Sequence, residues 1–366
     1  MVILFYSPFN QRSRDTETIM LAFKKQGHKV ISLTQQEGYL INEFLNSNGV
    51  EAFSAVLKGP RVGWWYFLRH IFYFVRFCWK NNVHVVYSHL EPANFVASVG
   101  QFFIRAKVYL CRHHIDEAHL YGFQNDLYYK ITYRLAKRII VVSDHAKRYM
   151  IEKENIPAEK VIHINLAYDF SLYEFNDERS VASIRLKFSC ELLLIAVCRL
   201  TKFKRPDLAI DVVSALIQNG LNAKLIILGK GELKDALEQK IHTLGLTDHV
   251  FLPGHVQNVL EYISASDFLI HPSILDSSCV AVKEAGLVAK PVIVCKGIGD
   301  FEDYIMHGVN GFLVDGDNFV SQAVSVIQRQ CTNKEVLSDV GLRLQSDVRR
   351  LFSVDMIVPL YDSLNK

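Results

Sequence analysis

Asp267-Phe-Leu-Ile-His-Pro-Ser-Ile-Leu-Asp-Ser-Ser-Cys-Val-Ala-Val-Lys-Glu-Ala-Gly286 is the stretch that decides the fold. Its opening residues read as a short buried strand, Asp276 falls in the loop that follows, and Glu284 lies inside a helical run. Strand, turn and helix in that order make the repeating unit of a parallel sheet. The unit places Asp276 in the loop and Glu284 eight positions later, about two turns up the helix. Between them the backbone N–H groups of the helix start face outward and attract anions. A polar ligand carrying both phosphates and hydroxyls suits such a place.

The same grammar runs along the rest of the chain. Val2–Tyr6, Lys29–Leu33, Val83–Tyr87, Lys107–Cys111, Ile139–Val142 and Val161–Ile164 are strand candidates in the first half. Leu192–Val197, Lys224–Leu228, Val250–Leu252, Asp267–Ile270, Pro291–Val294 and Gly311–Val314 follow in the second. Helical patterns lie between them, Thr16–Gln26, Arg205–Gln218, Leu233–Leu244 and Gln257–Ala265 among them. Short Val- and Ile-rich runs separated by helices predict parallel sheets covered on both faces. The polar, weakly periodic stretch 168–191 marks the boundary. The expected architecture is α/β: two doubly wound parallel-sheet domains, residues 1–180 and 181–345, facing a cleft. The remaining 346–366 read as a helix packing back on the first domain.

At 366 residues the chain is long enough for two such cores. Its seven cysteines, at 78, 111, 190, 198, 279, 295 and 331, form no C-x-x-C pair. That spacing argues against a disulfide framework or a structural zinc and points to free thiols in a reducing cytoplasm. Met-Val-Ile-Leu-Phe-Tyr6 is too short for a signal sequence and reads as the first strand. Residues 1–185 carry 23 Lys and Arg against 17 Asp and Glu, whereas 186–366 carry 18 against 21. The basic first half suits an anionic partner such as a membrane surface or a phosphorylated acceptor. An idle uneven surface is the alternative.

Arg199 and Lys204 follow the strand Leu192–Val197, where ligands of open α/β sheets bind. Two cations five positions apart before a helix can bracket a diphosphate and neutralise charge on a leaving nucleotide. Gly229 and Gly231 close the next strand, but the third glycine of G-x-G-x-x-G is missing, which counts against a dehydrogenase. His255 and Val256 end the run Val250-Phe-Leu-Pro-Gly-His-Val256. Asp315-Gly-Asp317 reads as a turn after a strand rather than a metal site.

Taken in order, these motifs resemble the retaining GT-B glycosyltransferases of family GT4. The stretch 276–284 resembles that family's E-x7-E region, with Asp276 where the first Glu stands. Arg199, Leu200 and Lys204 match its G-R-L…K-G pattern, with Cys198 and Arg205 replacing the glycines. Gly229 falls in its G-x-G turn, and Ala289 takes a usual glycine place in the G-x-P-V-V entry. The resemblance implies two Rossmann-like domains, the first for the acceptor and the second for the donor. It implies sugar transfer from a nucleotide sugar such as a UDP- or GDP-sugar, with retention and no metal or other cofactor. Arg199 and Lys204 would hold the diphosphate, the backbone at Cys279 and Val280 would face the phosphates, and Glu284 would bind the ribose. His255 and Val256 would meet the base, and Asp276 the transferred sugar.

In the first half the resemblance is thinner. Lys107-Val-Tyr-Leu-Cys-Arg-His113 ends a strand with a histidine where the family often has one near the sugar. His89 is a second cleft-lining candidate, and Arg12 and Arg14 are candidates for holding an acidic acceptor. Residues 61–80 are strongly aromatic, with Arg61, Arg69, Arg76 and Lys80 within roughly a 100° arc of a helix. They read either as an interfacial helix on a membrane or as a plain cover for the first sheet. The expected partners are a nucleotide sugar, a glycan or lipid-linked acceptor and this peripheral membrane contact, with no nucleic acid. The expected setting is bacterial surface polysaccharide or lipopolysaccharide synthesis on the cytoplasmic side. A sugar-nucleotide epimerase of the same fold and a non-catalytic nucleotide-sugar scaffold remain as other readings.

Overall fold

A computed structural model of the chain describes residues 1–10, 13–37, 40–57, 63–113, 126–172, 177–331 and 334–365. They form two compact units, Met1–Phe170 with Phe352–Lys366, and Ser171–Leu351. Among the described residues the first unit holds seven strands. They are β1 (Val2–Ser7), β2 (Lys29–Thr34), β3 (Glu51–Ser54), β4 (Val85–His89), β5 (Lys107–Arg112), β6 (Ile139–Val141) and β7 (Val161–His163). The second holds β8 (Leu192–Val197), β9 (Ala223–Leu228), β10 (Val250–Gly254), β11 (Phe268–His271), β12 (Val292–Cys295) and β13 (Phe312–Val314).

Both sheets are parallel and doubly wound, in the orders β3-β2-β1-β4-β5-β6-β7 and β10-β9-β8-β11-β12-β13. The order reverses between β1 and β4 in one sheet, and between β8 and β11 in the other. At such a reversal the loops leaving the two central strands diverge to opposite faces, and a crevice opens at their carboxyl ends.

Burial on two faces explains the apolar runs. In β1, Leu4 and Tyr6 pack with Phe74 and Phe77, while Ile3 and Phe5 pack with Ile19, Phe23 and Tyr361. The helix Trp64–Lys80 therefore covers the first sheet with one face, and the C-terminal helix Val354–Asn365 covers its other side. Tyr87 and Tyr109 tie that last helix down, Tyr87 Oη donating to Asn365 Oδ1 (3.1 Å) and Tyr109 Oη to Leu364 O (2.5 Å).

The structure moves several expected boundaries and adds a strand. Val83 N–H donates to Cys78 O (3.0 Å), closing the preceding helix, so β4 begins at Val85 rather than Val83. The expected two turns before Glu284 shrink to a little over one, because the helix starts only at Val280. β3 was not legible: as an edge strand it alternates exposed and half-buried residues and has no apolar run.

Gly341 lies inside the helix Lys334–Phe352, and a Cβ there would stand 1.9 Å from Ala289 O. Ala289 itself holds a left-handed φ of +55°. Gly341→Ala gains ~1 kcal/mol of helix propensity but loses ~1–3 kcal/mol to overpacking against a backbone that cannot turn aside. We expect that variant to lower the urea midpoint, and Ala289→Gly to raise stability by up to ~1 kcal/mol by removing left-handed strain.

Candidate functional site

The loop leaving β8 is pinned by main-chain bonds. Cys198 N–H donates to Leu228 O (3.0 Å), Leu200 N–H to Lys230 O (3.0 Å), and Leu233 N–H returns to Leu200 O (3.1 Å). A Cβ on Gly229 would lie 1.9 Å from Cys198 O, and one on Gly231 2.3 Å from Leu200 O. These glycines are therefore required for one loop of the chain to approach another. Their visible work is to hold Arg199 in place.

The loop leaving β11 is sewn to the same loop. Ile274 N–H donates to Phe203 O (2.9 Å), as does the Ser273 hydroxyl (3.1 Å). This brings together residues distant in sequence. Asp276 Oδ2 accepts from Lys204 Nζ (2.6 Å) and from His271 Nε2 (2.9 Å), and its Oδ1 accepts from Ser277 N–H (3.0 Å). Burial opposes the charge on Asp276, but the His271 hydrogen bond and the Lys204 ammonium outweigh it and hold its carboxyl well below the usual range. Burial likewise opposes charge on His271, yet the neighbouring Cys279 sulfur and the Asp276 carboxylate raise its pKa to about 9. Lys204 is raised too, burial again opposing and Asp276 prevailing. At neutral pH the Asp276 carboxylate is thus held between two cationic groups, the Lys204 ammonium and the His271 imidazolium.

Arg199 adds another cation: it is exposed, and its side chain has no ion pair among the described residues. Cys198 cannot act as a nucleophile, since burial pushes its thiol up to about 12. His271, Asp276 and Cys279 bring ligand-type atoms within 4.8 Å of one another. A cation would have to displace both the Lys204 ammonium and the His271 proton, so the residues fit ion pairing better than metal binding.

Glu284 is buried on the helix Val280–Leu287, whose N-cap is Cys279. The preceding backbone is fixed from below by a buried ion pair. Lys283 Nζ donates to Asp300 Oδ2 (2.5 Å), Ser278 Oγ (2.8 Å) and Cys279 O (3.3 Å). Gly299, at φ +57°, would bring a Cβ 3.2 Å from Ser277 O, so the turn after β12 also supports this loop. His255 is exposed and Val256 half-buried beyond β10. The Gly229 N–H bond to Gly254 O (2.9 Å) sets them at the same carboxyl edge, two strands from β8.

The first sheet carries its own cluster at its reversal. His89 ends β4 and His113 follows β5; His89 Nδ1 lies 2.8 Å from His113 Nε2, with the rings stacked 5.1 Å apart. Asp15 Oδ2 stands 4.0 Å from His113 Nδ1. Burial, then His113, depresses the His89 pKa, and its buried Nε2 has no partner among the described residues. Arg14 is exposed at the start of the helix Arg14–Lys25, while Arg12 and Arg61 lie outside the described residues. Sequence reasoning assigned no role to His271, Lys283, Asp300 or Asp15. The clue for Lys283 was a second charge inside an otherwise apolar helix.

A family model described as "Glycosyl transferases group 1" matches residues 182–339, and one described as "Glycosyltransferase Family 4" matches 14–172. An uncharacterized glycosyltransferase of Methanocaldococcus jannaschii is 25% identical over 91% of this chain and 88% of its own length. N-acetyl-alpha-D-glucosaminyl L-malate synthase of Bacillus anthracis is 27% identical, over 53% of this chain and 52% of its own. Among solved structures, Anabaena HepE in complex with UDP is similar over 100% of this chain and 99% of that one, with TM-score 0.84 and 20% identity. The same Anabaena protein is also known in complex with UDP-glucose, with TM-score 0.81. The two family models together span most of the sequence and the doubly wound sheets have GT-B counterparts, so this chain belongs to the group 1, family 4 glycosyltransferases.

Proposed function

We propose that this glycosyltransferase moves a sugar from a nucleoside diphosphate to an acceptor hydroxyl with retention of anomeric configuration. The observation that carries the reading is the Lys204–Asp276–His271 cluster beside exposed Arg199, where β8 and β11 part. It gathers cationic groups and adjoins a helix start, which suits a diphosphate. UDP and UDP-glucose in the structurally similar Anabaena protein support a nucleotide-sugar donor.

Each residue then has a task. Arg199 and Lys204 neutralise the charge that grows on the leaving diphosphate, and the N–H groups at Cys279 and Val280 face its oxygens. Asp276 orients Lys204 and meets the transferred sugar with the lone pairs left over. Glu284 accepts from the ribose hydroxyls, and His255 with Val256 borders the base. The acceptor binds the first unit, where His113, His89 and Arg14 stand near one crevice edge. The departing phosphate oxygen takes the acceptor proton on the same face, so no side-chain base is required. Protein cations supply the positive charge, and transfer is read as metal-independent. The basic first half fits a phosphorylated, glycan or lipid-linked acceptor of a bacterial surface polysaccharide, with the enzyme in the cytoplasm.

A thermal-shift panel of UDP-, GDP- and ADP-sugars tests the donor site. One donor should raise the melting temperature, and Arg199→Ala or Lys204→Ala should erase that rise. With a matched acceptor, each should cost ~10²–10³-fold in kcat. Transfer should persist in EDTA. An epimerised free donor without transfer would move the assignment to the epimerase class.

His271 predicts a pH dependence. Its folded pKa of about 9 exceeds the ordinary 6.5, so its contribution is complete below pH 6.5 and is lost as pH rises through about 9. Unfolding free energy should fall by on the order of 2–3 kcal/mol across that window. His271→Asn should flatten the profile in urea titrations at pH 6, 7.5 and 9.5.

A further inference from the structure

The helix Trp64–Lys80 has two faces with different fates. Phe74, Phe77 and Cys78 are buried against the first sheet. The opposite face is bare: Trp64, Trp65, Phe72 and Trp79 are 74%, 71%, 72% and 66% exposed. Such side chains are costly to leave in water, and this many on one helix mark an interaction surface. The surface continues onto the next turn, where Phe102 and Phe103 are also exposed and the Trp79 indole N–H donates to Phe103 O (3.1 Å).

Charge selects the occupant. Between Glu51 and Asp116 the sequence holds eight Lys or Arg and one acid, Glu91. Glu91 is turned inward, accepting from Phe95 N–H (3.1 Å). Arg69, Arg76 and Lys80 edge the aromatic stripe, and Lys137 lies 5.5 Å from the Phe102 ring centre. A second copy of this chain docking here by two-fold symmetry would set these cations against themselves. Among the described residues no helix is long and apolar enough to cross a membrane, so the helix would lie in the plane of a surface.

We propose that this face seats the protein on an anionic lipid bilayer, with the indoles in the headgroup layer and Arg69, Arg76 and Lys80 on lipid phosphates. At ~1.5 Å per residue the 17-residue helix lays down ~25 Å of contact. The attachment uses the first unit alone and does not depend on how the donor is bound.

The chain's three tryptophans are Trp64, Trp65 and Trp79, so its tryptophan emission reports on this face alone. Mixed with phosphatidylglycerol vesicles, the full chain should co-sediment, its emission should shift to the blue, and brominated acyl chains should quench it. Phosphatidylcholine vesicles should bind at least tenfold less. Leu68→Ser with Phe72→Ser should abolish quenching while leaving any nucleotide-sugar thermal shift intact. Arg69→Glu with Arg76→Glu should weaken phosphatidylglycerol binding at least tenfold. Unchanged emission with anionic vesicles, equal binding to both lipids, or quenching that survives Leu68→Ser with Phe72→Ser would overturn the proposal. So would a blue shift that follows protein concentration without vesicles, the signature of self-association.

Discussion

One carboxylate organises the second unit. Asp276 takes hydrogen bonds from Lys204 and His271 on a single oxygen and so joins the loops that leave β8 and β11 at the point where their strands diverge. Without it, two cations would face each other in a largely buried place. With it, their charges are held close and partly compensated. The shorter Asp, in the place where the family resemblance expects Glu, sits within direct reach of Lys204.

Around this carboxylate the backbone does most of the positioning. Gly229 and Gly231 let two loops touch through their carbonyls, and Gly299 lets a third come within van der Waals range. Beneath them, Lys283 and Asp300 are both buried and paired. Breaking such a pair by removing one partner costs ~3–5 kcal/mol, because the remaining charge is stranded. That pair ties the start of the helix Val280–Leu287 to the turn after β12, and it sets where the helix N–H groups point.

The fold was legible because both faces of each sheet are covered, which compresses strands such as Leu192–Val197 into unbroken apolar runs. Glu51–Ser54 escaped notice because an edge strand has no such need. In the site, Arg199, Lys204, Asp276 and Glu284 stood out by the order of their motifs. The bond between Lys204 and Asp276 did not, since the two are 72 positions apart and nothing local marks them as partners. His271 was hidden for another reason: as the last residue of a buried strand it reads as the end of an apolar run. Ala289 shows the opposite case, a residue noted only for replacing a glycine, whose left-handed backbone explains why glycine is favoured there.

The helix Val354–Asn365 has a consequence for synthesis. It completes the cover of a sheet whose first strand is Val2–Ser7, and between them lies the whole of the second unit. During translation the second sheet can be fully paired while the first still lacks part of one wall, leaving Phe23 and Tyr87 without the Tyr361 ring that finishes their aromatic cluster. The amino-terminal unit is thus closed only after the second, and a nascent chain carries an open apolar flank until residues Val354–Asn365 have left the ribosome.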